Sequence, residues 1–376
     1  MTLKIGVMGC GVVADYGHLP ALGRTPGLNV HALFDPDAGR RDAAAERFGV
    51  AVATGDQEVF FAGGDGGGLD AVLVTSPAPA HAANVLACAS RGLPVLCEKP
   101  LAMNDGQGRA MIDAMARARG GEGAPLHVAF CYRFSAAALE IKRLVSGGAI
   151  GEVAALRLIY NWDCHGRYNH RDPKQGVAPY RDGRMREGGP MVDCGTHQID
   201  LAAWWLGRPV EAWTGHGAWT DADDAYDCPG HIWAHLTHAA APGAGPHGRA
   251  ARTAVEMSYG YGHAAREADS SFVYELIGTA GVIVYDRNRG RFELRNTRGS
   301  TQLEYHEEKD FDAMHRAWAR LLQTGDPGHL ATAEEALTAT RIALDVTRQA
   351  AAGGAAGGAA GGAAETAASL SPAGSG

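Results

Sequence analysis

A glycine-rich turn near the start of the chain has the spacing of a dinucleotide-binding loop. Residues 9–14 read Gly-Cys-Gly-Val-Val-Ala, which matches the pattern G-x-G-x-x-A. The first glycine, Gly9, allows a tight turn, and the second, Gly11, lets the backbone approach a pyrophosphate. The small third residue, Ala14, lets a helix pack against the preceding strand, and the N-terminus of that helix offers free amides and a favourable dipole. The turn therefore predicts a phosphate-binding loop for a nicotinamide dinucleotide.

An acidic residue at the end of the second predicted strand indicates which dinucleotide is bound. The carboxylate of Asp35 can accept hydrogen bonds from both ribose hydroxyls of an adenosine, and it would repel a 2′-phosphate. No arginine directly follows it, because Arg40 and Arg41 come several residues later. The sequence therefore favours NAD over NADP.

Two further polar clusters follow predicted strands of the same region. Residues 75–81 read Thr-Ser-Pro-Ala-Pro-Ala-His, and residues 97–100 read Cys-Glu-Lys-Pro. The carboxyl ends of parallel strands are where open α/β sheets bind their ligands. Lys99 can donate a hydrogen bond there to a substrate oxygen or to the nicotinamide ribose, or exchange a proton if it is desolvated. The predicted cofactor contacts are Gly9, Gly11, Val12, Val13, Asp35, Thr75, Ser76, Pro77, His81, Glu98 and Lys99.

A third cluster opens a predicted helix in the middle of the chain. Asp193, His197 and Asp200 follow one another at i, i+4 and i+7, so on an α-helix they share one face. A carboxylate one turn from an imidazole fixes its tautomer and stabilises its cationic form, as a general base requires. Gly195, inside the same helix, indicates a close approach by a ligand or by another backbone.

These clusters need a scaffold, and the first part of the chain predicts a doubly wound parallel sheet. Its apolar runs are near-continuous, as in strands covered on both faces, and helix-like stretches lie between them. Repeated strand–helix–strand units imply right-handed crossovers. The predicted strands are residues 4–8, 30–34, 71–74, 94–97 and 127–130, and the predicted helices are 12–24, 37–48, 79–91 and 104–119.

The second part of the chain has a different order of predicted elements. After a helix predicted over 135–145, seven strand-like runs follow with turns between them, which indicates a mainly antiparallel sheet in an α+β domain. Thr332 and Glu335 have the capping-box spacing of a late helix. From residue 350 the chain is mostly Ala and Gly and is expected to be disordered. We predict a dinucleotide-binding domain over 1–125, a substrate and oligomerisation domain over 126–349, and a tail over 350–376.

Taken in order along the chain, these motifs resemble those of the glucose–fructose oxidoreductase / inositol dehydrogenase / MocA (Gfo/Idh/MocA) family. The resemblance runs from about residue 3 to residue 349 and includes residues 130–134 and 148–153. It implies a Rossmann domain followed by an open, mainly antiparallel sheet that commonly mediates dimers or tetramers. It also implies NAD(P)-dependent chemistry on sugars, polyols or their derivatives. Lys99 matches the lysine of the family's Glu-Lys-Pro motif, and Asp193 and His197 match its Asp-x-x-x-His pair.

The resemblance implies a dehydrogenase that transfers a hydride from a secondary alcohol carbon to NAD. In our hypothesis His197, oriented by Asp193, takes the hydroxyl proton, while Lys99 bonds the same oxygen; the sequence leaves open which of Lys99 and His197 is the final base. Aromatic and cationic residues between 160 and 186 suit a sugar or an anionic group. The predicted catalytic residues are Lys99, Asp193 and His197, and the predicted substrate contacts are Lys99, Arg133, Trp162, Asp193 and His197.

Three alternatives remain open at this point. An enzyme that retains its NAD would use transient oxidation for elimination, epimerisation or glycoside cleavage. A sugar-sensing protein would keep the fold and the dinucleotide without turnover, although the joint presence of Lys99, Asp193 and His197 argues against it. A structural zinc could use Cys194, His197, Cys228 and His231, but the catalytic motif already explains the first two, so we predict no metal.

Composition excludes several other classes of protein. The formal net charge of −8 argues against a nucleic-acid or anionic-membrane surface. No apolar run approaches the about 18 residues that a membrane span needs, and the first residues lack a secretory signal. The seven cysteines are scattered, several of them inside apolar runs, which fits a reduced compartment. We therefore expect a cytoplasmic homodimer or homotetramer with a small carbohydrate or polyol substrate.

Overall fold

The computed structural model describes residues 2–64, 67–161, 179–220, 223–241, 250–259 and 271–356. Within these residues the chain forms two sheets, one of seven strands and one of eight. The first sheet is built mainly from the first part of the chain, where strands and helices alternate, and the second from the strand-rich part that follows. The predicted fold class, a Rossmann domain followed by a mainly antiparallel sheet domain, is confirmed.

The first sheet is parallel except at one edge. Its central strand β1 is parallel to both of its neighbours, β2 and β4, and β15 is antiparallel to β6. β4 is buried along its whole length, as expected for a strand that helices cover on both faces. In spatial order the strands are β15 (Ala331–Thr332), β6 (Leu126–Val128), β5 (Val95–Cys97), β4 (Ala71–Val74), β1 (Leu3–Met8), β2 (Leu28–Phe34) and β3 (Val52–Thr54).

Helices connect these strands, and three of them begin at a residue whose side chain accepts from a free amide. The side chain of Asp37 accepts from the amide of Arg40 at the start of the second helix, and Asn104 does the same for Gln107 at the start of the fifth. A π-helical turn, Ala14–His18, comes directly before the first helix. The helices are α1 (Leu19–Arg24), α2 (Ala38–Phe48), α3 (Gln57–Ala62), α4 (Ala78–Ala89) and α5 (Asp105–Arg117).

The second sheet is antiparallel except where β10 runs parallel to β7. Residues 278–281 form the hairpin turn between β11 and β12, as their Gly-Thr-Ala-Gly sequence predicts. The spatial order is β14-β13-β12-β11-β7-β10-β9-β8. The strands are β7 (Val153–Asn161), β8 (Val210–Ala218), β9 (His231–Ala240), β10 (Ala250–Ser258), β11 (Ser271–Gly278), β12 (Gly281–Asp286), β13 (Arg291–Asn296) and β14 (Gly299–Gln302).

Five helices accompany the second sheet, and the last of them contacts both sheets. They are α6 (Ala136–Ser146), α7 (Pro179–Arg186), α8 (Thr196–Leu206), α9 (Phe311–Thr324) and α10 (Ala333–Ala356), with a second π-helical turn, Met191–Gly195, before α8. The predicted capping box starts α10, because the amide of Glu335 donates to Thr332 Oγ1 at 3.2 Å and the amide of Thr332 donates to Glu335 Oε2 at 2.9 Å. Near the far end of α10, Gln349 accepts a hydrogen bond from the amide of Gly215 in β8 at 2.7 Å.

The structure differs from the predicted domain limits at two places. β6 pairs in parallel with β5, so the first sheet continues past residue 125 and takes in part of the segment assigned to the second domain. α10 extends to Ala356, beyond the predicted start of the tail at residue 350. Alanine favours helix, and the fully buried Ala350 packs near Gly217, so the helix gains a tertiary contact there. The rest of the predicted tail lies outside the described residues.

Candidate active site

The loops after β1, β4 and β5 meet at the carboxyl edge of the first sheet. β1 and β4 are neighbours although two strands separate them in sequence, so the strand order reverses between them and a crevice opens there. The glycine turn lies at this crevice against the β4 loop. Gly9 has φ of +108°, and a Cβ on it would come within 2.4 Å of the backbone nitrogen of Ser76. Only glycine fits this contact, as the first position of the motif requires.

The second glycine faces open space. A Cβ on Gly11 would have no protein atom within 4 Å, and the next residue, Val12, is 52% exposed. The first amides of a helix have no intrahelical partner, so they are free to bind phosphate oxygens. Asp35 borders the same loop, and its carboxylate accepts from the amides of Cys10 at 2.8 Å and Asp37 at 2.9 Å. These features fit the diphosphate and ribose of a dinucleotide.

Three predicted cofactor contacts bind the protein framework instead of facing the crevice. Thr75 is buried and its hydroxyl donates to the carbonyl of Gly9 at 2.6 Å. His81 is buried with Nε2 2.8 Å from the carbonyl oxygen of Ser76 and Nδ1 2.9 Å from that of Pro100. Glu98 is buried as well. The polar side-chain atoms of Thr75, His81 and Glu98 hold the loops that border the crevice, and their contact with the cofactor stays a prediction.

Lys99 forms an ion pair with Asp193 across the boundary between the two sheets. Its Nζ donates to Asp193 Oδ1 at 2.8 Å and to the carbonyl oxygen of Asp193 at 2.7 Å. Burial alone would lower the pKa of Lys99, but the charge of Asp193 outweighs it, so that pKa is raised. Burial would likewise raise the pKa of Asp193, but Lys99 and Arg184 hold it well below its usual range. Both groups are therefore charged, and Lys99 is a hydrogen-bond donor.

The structure contradicts the predicted pairing of Asp193 with His197. The second carboxylate oxygen of Asp193 accepts a short hydrogen bond from the hydroxyl of Tyr259, and Arg184 Nε lies 3.6 Å from the first. Asp193 lies in the π-helical turn Met191–Gly195 and His197 in α8, and the carboxylate of Asp193 is engaged by Lys99 and Tyr259. Asp193 orients Lys99, and His197 points elsewhere.

Aromatic rings position His197. Its imidazole stacks on Tyr132 with ring centroids 4.1 Å apart and planes 9° from parallel, and Phe130 meets it edge-on at 5.4 Å. Its Nδ1 is buried and has no hydrogen-bond partner among the described residues. Burial, followed by the charge of Lys99, lowers the pKa of His197 well below its ordinary value. His197 is therefore a neutral imidazole with an unused nitrogen beside a charged lysine.

Arg133 does not face the site, which corrects its assignment as a substrate contact. Its guanidinium is buried and forms a two-point ion pair with Asp200, with Nε 2.7 Å from Oδ2 and Nη2 2.5 Å from Oδ1. It also lies 3.4 Å from Glu335 at the start of α10. Asp200 still lies one turn from His197 on α8, as predicted, but its carboxylate is taken up by Arg133. Trp162, the remaining predicted substrate contact, lies outside the described residues.

Sequence reasoning missed two aromatic residues at the site. Tyr259, directly after β10, bonds Asp193, and Tyr132, in the short helical segment Cys131–Phe134, supports His197. Both lie far from their partners in the sequence, so no local spacing identifies them. The only available signal was the position of Tyr132 within residues 130–134, which the family resemblance had singled out.

Two features of the described parts of the chain bear on the metal and membrane interpretations. In those parts, no three His, Cys, Asp or Glu side chains are grouped as metal ligands would be. No helix there has the length and apolar character that a bilayer crossing requires.

Comparison with known protein families gives two matches. Residues 3–121 match the family described as "Oxidoreductase family, NAD-binding Rossmann fold", and residues 138–284 match the "GFO/IDH/MocA C-terminal domain". Together the two matches cover most of the chain and span both sheets.

Curated relatives and solved structures agree with this. The chain is 35% identical to inositol 2-dehydrogenase 2 of Saccharopolyspora erythraea over 57% of each protein, so the match spans little more than half of that relative's length. An oxidoreductase from Agrobacterium radiobacter, solved with NAD+, L-tartaric acid and magnesium, has a TM-score of 0.74 at 21% identity and covers 94% of this chain and 97% of its own. Levoglucosan dehydrogenase, solved with NADH and levoglucosan, has a TM-score of 0.75 at 20% identity over 94% and 98%. At these identities the structures show a shared fold.

Proposed function

This chain belongs to the GFO/IDH/MocA family of oxidoreductases, and on that premise we propose that it is an NAD-dependent dehydrogenase acting on a secondary hydroxyl of a sugar, a polyol or a sugar derivative. The observation that carries the proposal is the combination of a charged Lys99 with a neutral His197 whose Nδ1 is unused among the described residues. This pair lies beside the crevice that fits the dinucleotide. A proton acceptor and a fixed cation next to a nicotinamide site are what alcohol oxidation needs.

The two side chains divide the work on the substrate oxygen. His197 accepts the hydroxyl proton, because its lowered pKa keeps it unprotonated at neutral pH. Lys99 donates a hydrogen bond to the same oxygen and stabilises the charge that develops there, while Asp193 and Tyr259 hold Lys99 in place. Gly11, Val12 and Asp35 would hold NAD, which would supply the hydride acceptor. On this basis His197 is the base and Lys99 the electrostatic partner.

The substrate class follows from the relatives and from the composition of the site. The relatives named above act on inositol and levoglucosan, and another, from Escherichia coli, is named D-glucoside 3-dehydrogenase. Tyr132 and Phe130 give the site aromatic surface next to polar donors, a combination that suits a carbohydrate ring. Cyclic polyols and pyranosides are therefore the first compounds to test.

We place the active enzyme in the cytoplasm as a homodimer or homotetramer. Trp233, on β9 of the second sheet, is half-buried and lies on the face opposite to α10, and Trp219, directly after β8, is exposed. Aromatic side chains on an open sheet face are typical of subunit contacts. Light scattering of the purified protein measures the assembly directly, and a monomer at micromolar concentration would contradict this part of the proposal.

The activity is tested by NADH formation with NAD and a panel of scyllo-inositol, D-glucosides and levoglucosan. Lys99→Met and His197→Gln are expected to lower kcat/KM by about 10²-fold to 10⁴-fold, because each removes a group that acts on the reacting oxygen. Matched controls are Lys142→Met, which removes a lysine bonded only to backbone carbonyls of Trp204 and Trp205, and His127→Gln, which alters a buried histidine of β6. Both controls should retain activity.

The outcomes separate the candidate functions. Steady NADH formation that only the site variants abolish supports the dehydrogenase. Consumption of substrate without NADH indicates a reaction that retains its cofactor. Tight NADH binding without turnover of any compound indicates a binding protein and contradicts the proposal.

A further inference from the structure

Three buried side chains from three elements form a hydrogen-bonded chain behind the active site. Glu98 follows β5, His18 ends the π-helical turn before α1, and His315 lies in α9. His18 Nε2 is 2.9 Å from Glu98 Oε1, and His18 Nδ1 is 3.0 Å from His315 Nε2. His18 and His315 are fully buried and Glu98 nearly so. None of the three touches the substrate oxygen in the scheme above.

The direction of the first hydrogen bond follows from the charge of Glu98. Burial would raise the pKa of Glu98, but its hydrogen bond with His18 and the nearby positive charges outweigh burial and lower that pKa to about 2. An ionised carboxylate only accepts hydrogen bonds, so His18 Nε2 donates. His18 Nδ1 shares a second hydrogen bond with His315, whichever nitrogen carries the proton. Both nitrogens of His18 are thus engaged, and its ring orientation is fixed.

A histidine at position 315 is less favourable for stability than an apolar side chain would be. Its Nδ1 is buried without a hydrogen-bond partner among the described residues, and burial lowers its pKa well below the ordinary value. A buried polar atom left unpaired is destabilising. An aromatic hydrocarbon side chain of similar size would avoid that cost in α9. The histidine therefore points to a role that packing alone does not explain.

Helix α9 is held tightly against the His18 turn. A Cβ on Gly17 would lie 2.8 Å from the ring of Phe311, and the His18 and Phe311 rings meet edge-on at 5.0 Å. Arg24 of α1 and Asp312 of α9 form an ion pair at 2.8 Å on the surface above. His315 thus has little freedom to move away from His18.

The chain ends at the residue that precedes Lys99. The other carboxylate oxygen of Glu98 accepts from the backbone amide of Lys99 at 3.0 Å. One π-helical turn therefore holds Glu98 through His18, and the other holds Lys99 through Asp193. Single π-helical turns occur frequently at functional sites. Here the two turns fix two consecutive residues from opposite sides.

We propose that His18 and His315 are positioning residues for Lys99: the chain His315–His18–Glu98 fixes the backbone from which Lys99 reaches Asp193 and the substrate oxygen. The proposal rests on the dehydrogenase function for its kinetic consequence. Its structural consequence, the placement of the Lys99 amine, does not depend on that function.

The kinetic test compares His315→Phe with His315→Gln. His315→Phe removes the partner of His18, whereas the glutamine amide can still donate to His18 Nδ1. With scyllo-inositol, or whichever compound of the panel the wild type oxidises fastest, His315→Phe is expected to lower kcat by about tenfold to a hundredfold, because a small displacement of Lys99 weakens its action in the transition state. The KM for NAD should stay within about twofold. His315→Gln should recover most of the loss, and His127→Phe, another buried histidine replaced in the same way, should leave kcat unchanged.

A second measurement needs no turnover. Acetic anhydride acetylates uncharged amines, so the rate at Lys99, read by peptide mass spectrometry against Lys142, reports how firmly Asp193 holds the ammonium. We expect acetylation of Lys99 to be about threefold or more faster in His315→Phe and to return to the wild-type rate in His315→Gln. Altered labelling in a protein that oxidises nothing would support the positioning role while the dehydrogenase proposal fails. Unchanged labelling overturns the role, whether or not kcat falls.

Discussion

At the residue scale, the site depends on where charge is placed. Lys99 and Asp193 are a buried pair that keeps both members ionised, and His197, a few residues along the chain from Asp193, is kept neutral. Burial disfavours the charged form of His197, and the nearby positive charge of Lys99 disfavours it further. This distribution of charge supports the proposed roles, in which Lys99 donates a hydrogen bond and His197 accepts the proton.

The variant Asp193→Asn distinguishes the protonation of His197 from the deprotonation of Lys99 in the pH profile. In the wild type we expect kcat/KM to fall on the acidic side as His197 is protonated, at a pH below the ordinary histidine range because its pKa is lowered. Without the Asp193 charge, burial and Arg184 lower the pKa of Lys99 with less opposition. The pH profile of Asp193→Asn should therefore gain an alkaline fall below the ordinary lysine range, with kcat/KM reduced about tenfold or more at neutral pH.

The control for this profile is Glu140→Gln, which breaks the surface pair with Arg143 in α6 and leaves the charges at the site in place. It should reproduce the wild-type profile. An Asp193→Asn enzyme with a lower rate but no alkaline fall would mean that Asp193 acts on geometry and not on the charge of Lys99.

The sequence identified Lys99, Asp193 and His197 but not how they pair. Spacing of i and i+4 places two side chains near each other on a helix, but it does not decide which neighbour each one bonds. Asp193 bonds Lys99 and Tyr259, which are both distant in sequence. A Cβ on Gly195, at the end of the π-helical turn Met191–Gly195, would lie 2.3 Å from the sulfur of Met191. The packing of a side chain therefore explains this glycine, whereas the sequence predicted the approach of a ligand or of another backbone. Partners such as Tyr259 depend on which strand lies alongside, which tertiary structure decides.

At the element scale, the cofactor loop is the most predictable part of the molecule. A glycine-rich turn between a buried strand and a helix has a backbone geometry that the residue types themselves require. The short elements β3 and α3 were harder to locate, since three-residue and six-residue segments carry too little periodicity to be recognised.

The two glycines of the loop predict separable defects. Gly9→Ala would place a Cβ 2.4 Å from the backbone of Ser76 at a φ of +108°, so we expect a loss of about 1–3 kcal/mol in the free energy of unfolding together with weaker NADH binding. Gly11→Ala meets no protein atom within 4 Å, so its stability should stay within about 0.5 kcal/mol of the wild type. Its added methyl group faces the space assigned to the pyrophosphate, so its NADH dissociation constant should rise about tenfold or more.

Urea unfolding and NADH fluorescence titration measure the two effects. If Gly11→Ala bound NADH as the wild type does, the pyrophosphate would not lie over this loop. Equal stability losses in both variants would show that Gly11 has a structural role that the open space around it does not suggest.

At the scale of the whole molecule, two features join the sheets. The buried pair of Arg133 and Asp200 links the segment after β6 to α8, and Glu335 connects it to α10. Breaking one side of such a pair leaves an uncompensated buried charge. α10 itself bonds the loop after β5 through Thr340 and β8 through Gln349. The division into two domains was predictable from the change from alternating strands and helices to consecutive strands. A single helix shared by both sheets was not predictable, because its contacts with β6 and β8 are distant in sequence.

The close packing of α10 against β8 allows a test of whether α10 couples the unfolding of the two sheets. A Cβ on Gly215 would lie 2.3 Å from the carbonyl oxygen of Val346, a backbone atom that cannot move without shifting the helix. We expect Gly215→Ala to destabilise the protein by about 1–3 kcal/mol. Gly23→Ala is the matched control, since its Cβ has open space in α1 and should leave stability unchanged or raise it by up to about 1 kcal/mol. Because α10 also bonds the first sheet, the urea midpoint of Gly215→Ala should fall equally whether tryptophan fluorescence or NADH binding is followed. A fall seen by tryptophan fluorescence alone would mean that the two sheets unfold independently and that α10 does not couple them.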